Sequence, residues 1–372
     1  MKVASVEVFR VDMPMRGFYK NAFHNHNVQP CCLVRLRADD GFEGVGDVEP
    51  FRGYSSGGRD ETADAIERVL GPALLGADPK RERAAARRLE EAAQGFYEAK
   101  AALGMALSDL HAQALGVPLH ELLGGAVMEE VFFNGWIGIL SPEEAAREAR
   151  AYRDRGWVSC KVKAGGDVES DAARVLAVRE AAGEDFEIRI DANESYASVE
   201  EAVAFAREVR EAEPVLFEQP VPRADLEGMA RIRRAIGFPV MADECVYGHD
   251  SLLRIIQAGA ADIVKLKLLK QGGFLAAREM AATAEAAGMK IVIGHGFGLS
   301  AYTLAEVHLA ATCGAFLRAI ESVGPDKMLD DVVDRPLAIG PGRLKVPQGP
   351  GLGVRLDEEK LARYRAKGAA AV

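Results

Sequence analysis

From residue 131 onward, short apolar strand patterns alternate strictly with helical patterns, and no other feature of the chain constrains its fold as much. Beyond the second of these strands, successive strand ends lie 24 to 28 residues apart by subtraction of their residue numbers. Each interval fits one βα unit, whose right-handed crossover makes neighbouring strands parallel. Eight such strands favour a closed (β/α)8-type TIM barrel over an open sheet. The predicted strands end near Trp136, Lys163, Asp191, Glu218, Asp243, Lys267, His295 and Glu321.

A chain of 372 residues is long enough for two domains. Residues 1–125 read as a small α+β domain, residues 126–335 as the barrel, and residues 336–372 as a segment that returns to the first domain. Within residues 1–125, the patterns predict strands at 2–11 and 31–38 and helices near 59–70, 80–94 and 96–115.

Composition excludes several classes of function. A net charge of −10 disfavours nucleic-acid binding, which needs a basic face, and no apolar segment is long enough to span a membrane. No GxGxxG motif follows the first strand, which disfavours a dinucleotide-binding fold. The cysteines lack metal-type spacing, and together with the lack of a signal-peptide pattern they predict reduced thiols in a cytoplasmic protein. They are Cys31, Cys32, Cys160, Cys245 and Cys313.

Three acids end three consecutive barrel strands: Asp191, Glu218 and Asp243. Each alone would most often be a helix N-cap. Three carboxylates that converge without a counterion would repel each other and would be costly to desolvate. A hard divalent cation with oxygen ligands removes both costs, so we predict a site for Mg²⁺, with Mn²⁺ as the next candidate.

Lysines stand at the ends of two other strands. Lys161 and Lys163 are two residues apart, so they share one face of their strand, and Lys267 ends a strand four positions further around the barrel. A neighbouring ammonium lowers the pKa of a lysine, as a lysine base at neutral pH requires. Removal of a proton α to a carboxylate gives an enediolate, whose charge a bound metal stabilises.

With these residues, the chain resembles the enolase superfamily, specifically its mandelate racemase/muconate lactonizing enzyme family and the muconate lactonizing subgroup. The resemblance implies a modified, enolase-like TIM barrel with an N-terminal α+β capping domain, and a Lys or His base with Mg²⁺. Lys163 and Lys267 match the acid/base lysines and Lys161 the charged neighbour. The acids match the metal ligands, with the other motif positions matched by Asn193 and Glu244 (supporting residues) and Glu321 (the strand-eight acid).

Two positions depart from the family pattern. His295 occupies the place of a racemase-type histidine, but Lys267 stands where its aspartate partner would be, so we favour the lysine as catalyst and leave His295 as a substrate contact or a structural residue. Lys265 is an additional inward-facing cation. Its burial predicts a carboxylate partner, with Glu244 and Asp243 as the candidates.

Loops of the capping domain, near residues 14–30 and 47–60, set specificity in this family. Polar and aromatic side chains there suit a polar substrate with a second functional group; the candidates are Tyr19, His24, His26, Arg52 and Tyr54.

The sequence therefore predicts a metal-dependent racemase, epimerase or cycloisomerase that acts on a small carboxylic acid, such as an amino-acid derivative, and we expect a homo-oligomer. The alternative within the same chemistry is a dehydratase of a hydroxy acid. A barrel that has lost catalysis and only binds is the alternative from another class.

Overall fold

The computed structural model describes residues 1–20, 25–51, 55–294 and 296–366. Its N-terminal part, the cap, contains a three-stranded antiparallel sheet in the order β1-β2-β3. The strands are β1 (Val3–Lys20), β2 (Asn25–Ala38) and β3 (Glu43–Val48).

Both predicted cap strands are present, but β1 and β2 are longer than expected and take up much of the loop predicted at 14–30. Pro14 lies opposite Val28, and Tyr19 lies opposite His26 beyond a shift in register. The polar composition of this segment predicts a loop. It forms strands because pairing between β1 and β2 depends on the facing strand as much as on local composition.

Helices cover one face of this sheet. The longest packs so closely on β3 that a Cβ atom at Gly46 would lie 1.9 Å from the carbonyl oxygen of Ala102. A Cβ atom at Gly44 would lie 2.1 Å from the carbonyl oxygen of Ala106. The two glycines are two residues apart because both lie on the face of β3 that contacts this helix. The three predicted helices are present as α1 (Arg59–Ala65) with the π-helical turn (Ile66–Leu70) that continues it, α3 (Glu82–Ala92) and α4 (Tyr97–Leu115). Two short helices, α2 (Gly71–Leu74) and α5 (Leu119–Leu122), were not predicted.

The predicted (β/α) barrel is confirmed. Seven parallel strands follow one another in chain order from Gly135–Ile137 to Lys290–Ile293. The eighth strand closes the ring, because Glu321 N donates to Ile293 O at 2.9 Å and Asn134 N donates to Ile320 O at 2.8 Å. The strands are β4 (Glu130–Phe133), β5 (Gly135–Ile137), β6 (Ser159–Lys163), β7 (Glu187–Asp191), β8 (Leu216–Glu218), β9 (Val240–Ala242), β10 (Ile263–Leu266), β11 (Lys290–Ile293) and β12 (Ala319–Ile320).

The helices that follow the strands start at recognisable caps. Ser141, Asp167, Ser198 and Asp225 each accept a hydrogen bond from a backbone N–H of the first turn of the next helix. The helices are α6 (Pro142–Asp154), α7 (Val168–Ala182), α8 (Val199–Glu208), a 3-10 turn (Arg210–Ala212), α9 (Leu226–Ala235), α10 (His249–Ala258), α11 (Leu268–Gln271), α12 (Phe274–Ala286), α13 (Ser300–Ala310) and α14 (Gly324–Lys327).

The inside of the barrel changes character along its axis. Near the strand starts, Leu216, Met241, Ile263 and Val292 form a small apolar cluster of their own. Two residues further along each strand, the same face carries polar or glycine residues, because side chains repeat with a period of two. On the side formed by β8 to β11, apolar side chains therefore fill the barrel interior beneath the polar residues at the strand ends.

The C-terminal segment contacts both parts of the molecule. Strand β13 (Arg343–Lys345) pairs antiparallel with β4, and helix α15 (Glu358–Arg363) precedes a bridge between Arg365 and Val11 of the cap. Of the helices in the described ranges, none is long and apolar enough to cross a membrane.

Candidate functional site

The three predicted acids lie together at the carboxyl ends of the strands. Asp191 and Glu218 are partners in register across β7 and β8, and Asp243 follows β9, the strand that pairs with β8 on its other side. All three side chains are buried. The barrel interior here is charged, although branched apolar residues fill most barrels of this type.

Lysine ammonium groups sit on two sides of this acid cluster. Lys163 Nζ donates to Asp191 Oδ2 at 2.5 Å, and Lys267 Nζ donates to Asp243 Oδ2 at 2.5 Å. Their strands, β6 and β10, are four positions apart in the sheet, as expected. The two ammonium groups therefore approach the cluster from opposite sides of the barrel.

A second layer of charges lies one inward position below. Lys161 Nζ contacts Glu321 Oε2 at 2.5 Å, Asp191 Oδ2 at 3.0 Å and Glu218 Oε2 at 3.1 Å. Arg189 Nη1 donates to Glu321 Oε1 at 3.1 Å. Glu321, at the end of β12, thus connects this strand to β6 and β7 through ion pairs.

Lys265 is buried and paired, as predicted, but the predicted partners were wrong. Its ammonium donates to Glu218 Oε1 at 3.0 Å and to Glu321 Oε2. Asp243 is bound by Lys267 instead, and Glu244 points towards Asn193. The long side chain of Lys265 reaches past the neighbouring strands β9 and β11 to acids two strands away, at the ends of β8 and β12, which counting along adjacent strands does not reveal.

The two predicted supporting residues form a chain next to Lys163. Asn193 Oδ1 accepts from Lys163 Nζ at 2.7 Å, and Asn193 Nδ2 donates to Glu244 Oε1 at 2.9 Å. Asn193 has a φ of 44°, a conformation that asparagine tolerates better than most residues. Burial, and then the charge of Asp243, raise the pKa of Glu244 to about 8.

Burial and neighbouring charges shift the pKa values of the lysines in opposite directions. Burial, and then the positive charge of Lys270, hold the pKa of Lys267 well below its usual value. Burial alone would also lower the pKa of Lys161, but Glu218 and Glu321 outweigh it and raise this pKa. Of Lys161 and Lys267, Lys267 is therefore the one whose pKa is shifted in the direction that a proton acceptor needs.

The acids suit a divalent cation in their chemistry. Their donor atoms are all carboxylate oxygens, which hard cations prefer. Glu244 Oε2 is buried and has no hydrogen-bond partner, so an acceptor beside the cluster has unused capacity. In the four described stretches of chain, no three acidic, histidine or cysteine side chains are already arranged around a single point as a metal site. Here the lysine ammonium groups lie against the carboxylate oxygens.

Sequence reasoning missed three residues that shape the site. Lys270 donates to Asp243 O at 2.6 Å and lies 4.6 Å from the centre of the Tyr247 ring. Arg189 holds Glu321, and Arg174 Nη1 donates to Lys163 O at 3.0 Å. The signal for Arg189 was a charged residue in an apolar strand, two positions before Asp191. For Lys270 it was a spacing of three residues from Lys267 at the start of a helix.

An apolar wall stands beside Lys163. A small cavity here is lined by Trp136, Phe297 and Val323 together with Lys161, Lys163 and Glu321. The rings of Trp136 and Phe297 meet edge to face, with centroids 5.5 Å apart. This wall would contact an apolar part of a substrate.

Most of the predicted loop contacts fall outside what the structure describes. His24, Arg52, Tyr54 and His295 lie outside the described residues, as does the side chain of Tyr19. The ring of His26 packs against Phe51, with centroids 4.7 Å apart.

Two family models match the chain. The model described as mandelate racemase / muconate lactonizing enzyme, N-terminal domain, matches residues 3–124, and the model described as enolase C-terminal domain-like matches residues 144–360. Together they cover most of the sequence.

Individual relatives match over nearly their full length. The L-Ala-D/L-Glu epimerase of Bacillus subtilis (strain 168) is 31% identical over 95% of this chain and 97% of its own. Muconate cycloisomerase 1-2 of Acinetobacter lwoffii is 32% identical over 98% of this chain and 96% of its own. The crystal structure of a dipeptide epimerase from Cytophaga hutchinsonii, complexed with Mg and the dipeptide D-Ala-L-Val, has a TM-score of 0.93 at 27% identity and covers 98% of each chain.

Proposed function

The chain belongs to the mandelate racemase/muconate lactonizing enzyme family of the enolase superfamily, and from this premise we propose that it catalyses 1,1-proton transfer at the α-carbon of a small carboxylic acid. It is an isomerase of this family, and its general reaction is the metal-dependent removal of a proton α to a carboxylate. These relatives do not favour the dehydratase alternative. We propose a racemase or epimerase of an amino-acid derivative, such as an N-acyl amino acid or a dipeptide.

One observation carries the proposal. Lys163 and Lys267 lie on opposite sides of the acid cluster, and each is bonded to a different acid of it. A substrate whose carboxylate lies at the cluster would have one lysine on each face of its α-carbon. One lysine takes the proton from one face and the other returns a proton to the opposite face, which inverts the stereocentre.

The residues around each lysine hold it in place for this work. Asn193 orients the Lys163 ammonium, while burial and the nearby charge of Lys270 lower the pKa of Lys267. Lys161 and Glu321 supply the charges beneath the substrate.

Asp191, Glu218 and Asp243 would hold the metal, for which we propose Mg²⁺, with Mn²⁺ able to replace it. A divalent cation there stabilises the negative charge that develops on the substrate carboxylate as the α-proton leaves. Trp136 and Phe297 shield the Lys163 face of the substrate from water.

The test is exchange of the α-proton in D₂O with the wild-type enzyme and Mg²⁺. N-acyl amino acids, dipeptides and muconates are offered separately, and ¹H NMR follows both deuterium incorporation and the appearance of the second stereoisomer. We expect exchange accompanied by inversion for a member of the first two groups. Exchange without inversion in every compound that reacts would contradict the two-lysine mechanism.

Cycloisomerisation is the second candidate, because muconate cycloisomerases match this chain as fully as the epimerase does. In that reaction a single lysine suffices to move the proton. Conversion of cis,cis-muconate, measured as the loss of its ultraviolet absorption, would favour cycloisomerisation over racemisation.

Three broader assignments belong to the same proposal. The division at residues 125 and 335 separates cap, barrel and C-terminal segment. All five cysteines are free thiols, which suits the reducing cytoplasm. The partner of the protein is a small carboxylate, and we propose that the enzyme acts as a homo-oligomer.

A further inference from the structure

Lys265 occupies an unusual position, since it is a fully buried cation directly beneath the acid cluster. Its side chain is 1% exposed. It lies on β10, two residues before Lys267, which directly follows that strand, so both side chains face the barrel interior. A buried ammonium is tolerated only where carboxylates compensate for its lost hydration.

Lys265 and Lys161 together hold Glu218 at both of its oxygens. Lys265 Nζ contacts Oε1 at 3.0 Å and Lys161 Nζ contacts Oε2 at 3.1 Å. Both ammonium groups also contact Oε2 of Glu321. Glu218 is therefore the proposed metal ligand that two lysines neutralise from below.

The acids beneath and within the cluster each contact more than one cation. Lys161 and Lys265 both contact Glu218 and Glu321, Arg189 also contacts Glu321, and Lys161 and Lys163 contact Asp191. Without Lys265, Glu218 and Glu321 would each lose a partner, and the repulsion between these two acids would be less compensated.

We propose that Lys265 is a positioning residue that acts through Glu218: it serves as an internal counterion that holds the acid cluster together without metal and that opposes the charge of a bound divalent cation. The inference rests on the metal site proposed above. It makes two predictions for a variant without this ammonium: the metal-free protein becomes less stable, and the metal binds more tightly.

Both effects enlarge one measurable quantity, the increase in Tm that Mg²⁺ produces, because a ligand stabilises the folded state according to its affinity. For Lys265→Met, the metal-free Tm should fall, and most of the loss should be recovered when Mg²⁺ is added. Titration calorimetry should show a Kd for Mg²⁺ lower by about tenfold or more, because a unit charge a few ångströms from a ligand has at least this effect on a divalent ion.

Lys100→Met is the matched control. Lys100 is also buried, at 4% exposed, and is paired with Glu90 at 2.6 Å, but it contacts no acid of the site. Its loss should lower Tm equally with and without Mg²⁺ and leave the Kd unchanged. A purely structural role for Lys265 would give this same result and would overturn the proposal.

Two further variants test whether the effect is due to charge and provide a replacement if Lys265→Met does not fold. Lys265→Met combined with Glu321→Gln removes one charge of each sign, so its Mg²⁺-induced increase in Tm should return towards the wild-type value. If Lys265→Met does not fold, Lys265→Gln carries the same prediction, and recovery of either variant only in the presence of Mg²⁺ supports it.

The outcomes separate the two proposals. If the wild-type Tm does not respond to Mg²⁺ and calorimetry detects no binding, the proposed metal site fails. If the wild type responds but the response of the Lys265 variant is equal or smaller, the metal site stands and the role of Lys265 is wrong.

Discussion

The two sides of the acid cluster present the same functional group in different surroundings. On one side, Lys163 contacts a carboxylate and the neutral amide of Asn193. On the other, Lys267 contacts a carboxylate with a second cation, Lys270, close by. The two lysines thus occupy symmetric positions on the barrel, but their side chains have different neighbours. Barrel symmetry thus supplies two bases, and on one side burial together with the charge of Lys270 lowers the pKa of Lys267.

Loss of a shared acid should have the largest effect, because it removes what the two sides have in common. Asp191→Asn, Glu218→Gln and Asp243→Asn should each lower kcat by about a thousandfold or more for both stereoisomers, as expected when charge stabilisation in the transition state is lost. Chelation should do the same to the wild type, and added Mg²⁺ or Mn²⁺ should reverse it. Circular dichroism checks that the variants fold; an active Asp243→Asn enzyme would exclude this residue from the metal site.

Loss of one lysine should break the symmetry. Lys163→Ala should lower the rate of α-proton exchange from one stereoisomer, and Lys267→Ala should lower the rate from the other. Each rate should fall by about a hundredfold or more, the usual contribution of a general acid or base. Exchange in D₂O, measured by NMR from each pure isomer, tests this directly. If Lys267→Ala left exchange from both isomers intact, Lys267 would supply only charge, and a one-base cycloisomerase would be the better description.

Loss of Lys270 should reduce the difference between the two sides. Its charge lowers the pKa of Lys267, so Lys270→Met should raise it. A base must be neutral to accept a proton; the activity that depends on Lys267 therefore rises as pH increases through its pKa. In the variant this rise should move to higher pH in the kcat/KM profile of one isomer only. An unchanged profile would show that Lys270 does not tune Lys267.

Loss of Asn193 should have the smallest effect and should act on the Lys163 side. Asn193→Ala removes the hydrogen bond to Lys163 and leaves Lys267 untouched, so the rate from one isomer should fall by about tenfold, the range typical of a supporting residue. Arg207→Ala, on the exposed last turn of α8, is the control and should change neither rate. Equal losses from both isomers after Asn193→Ala would mean that this residue supports the metal ligands instead.

Much of the fold follows from the sequence. Each predicted end of a barrel strand in the described ranges lies within a residue of the observed one, because an apolar run that stops at a charged residue marks both the strand and its end. Asp191, Glu218 and Asp243 were found for this reason. The length of the β1–β2 ribbon was not predictable, since it depends on pairing with a facing strand.

The sequence by itself determined which charged residues stand at the mouth of the barrel, because the alternation of strands and helices and the period of two along each strand are properties of the chain. Only the tertiary structure decided which charge meets which. Lys265 meets Glu218 and Glu321, not Asp243 or Glu244. Such pairing depends on the stagger of strands around the ring and on the reach of long side chains across its axis. Neither quantity is encoded in the spacing of residues along the chain.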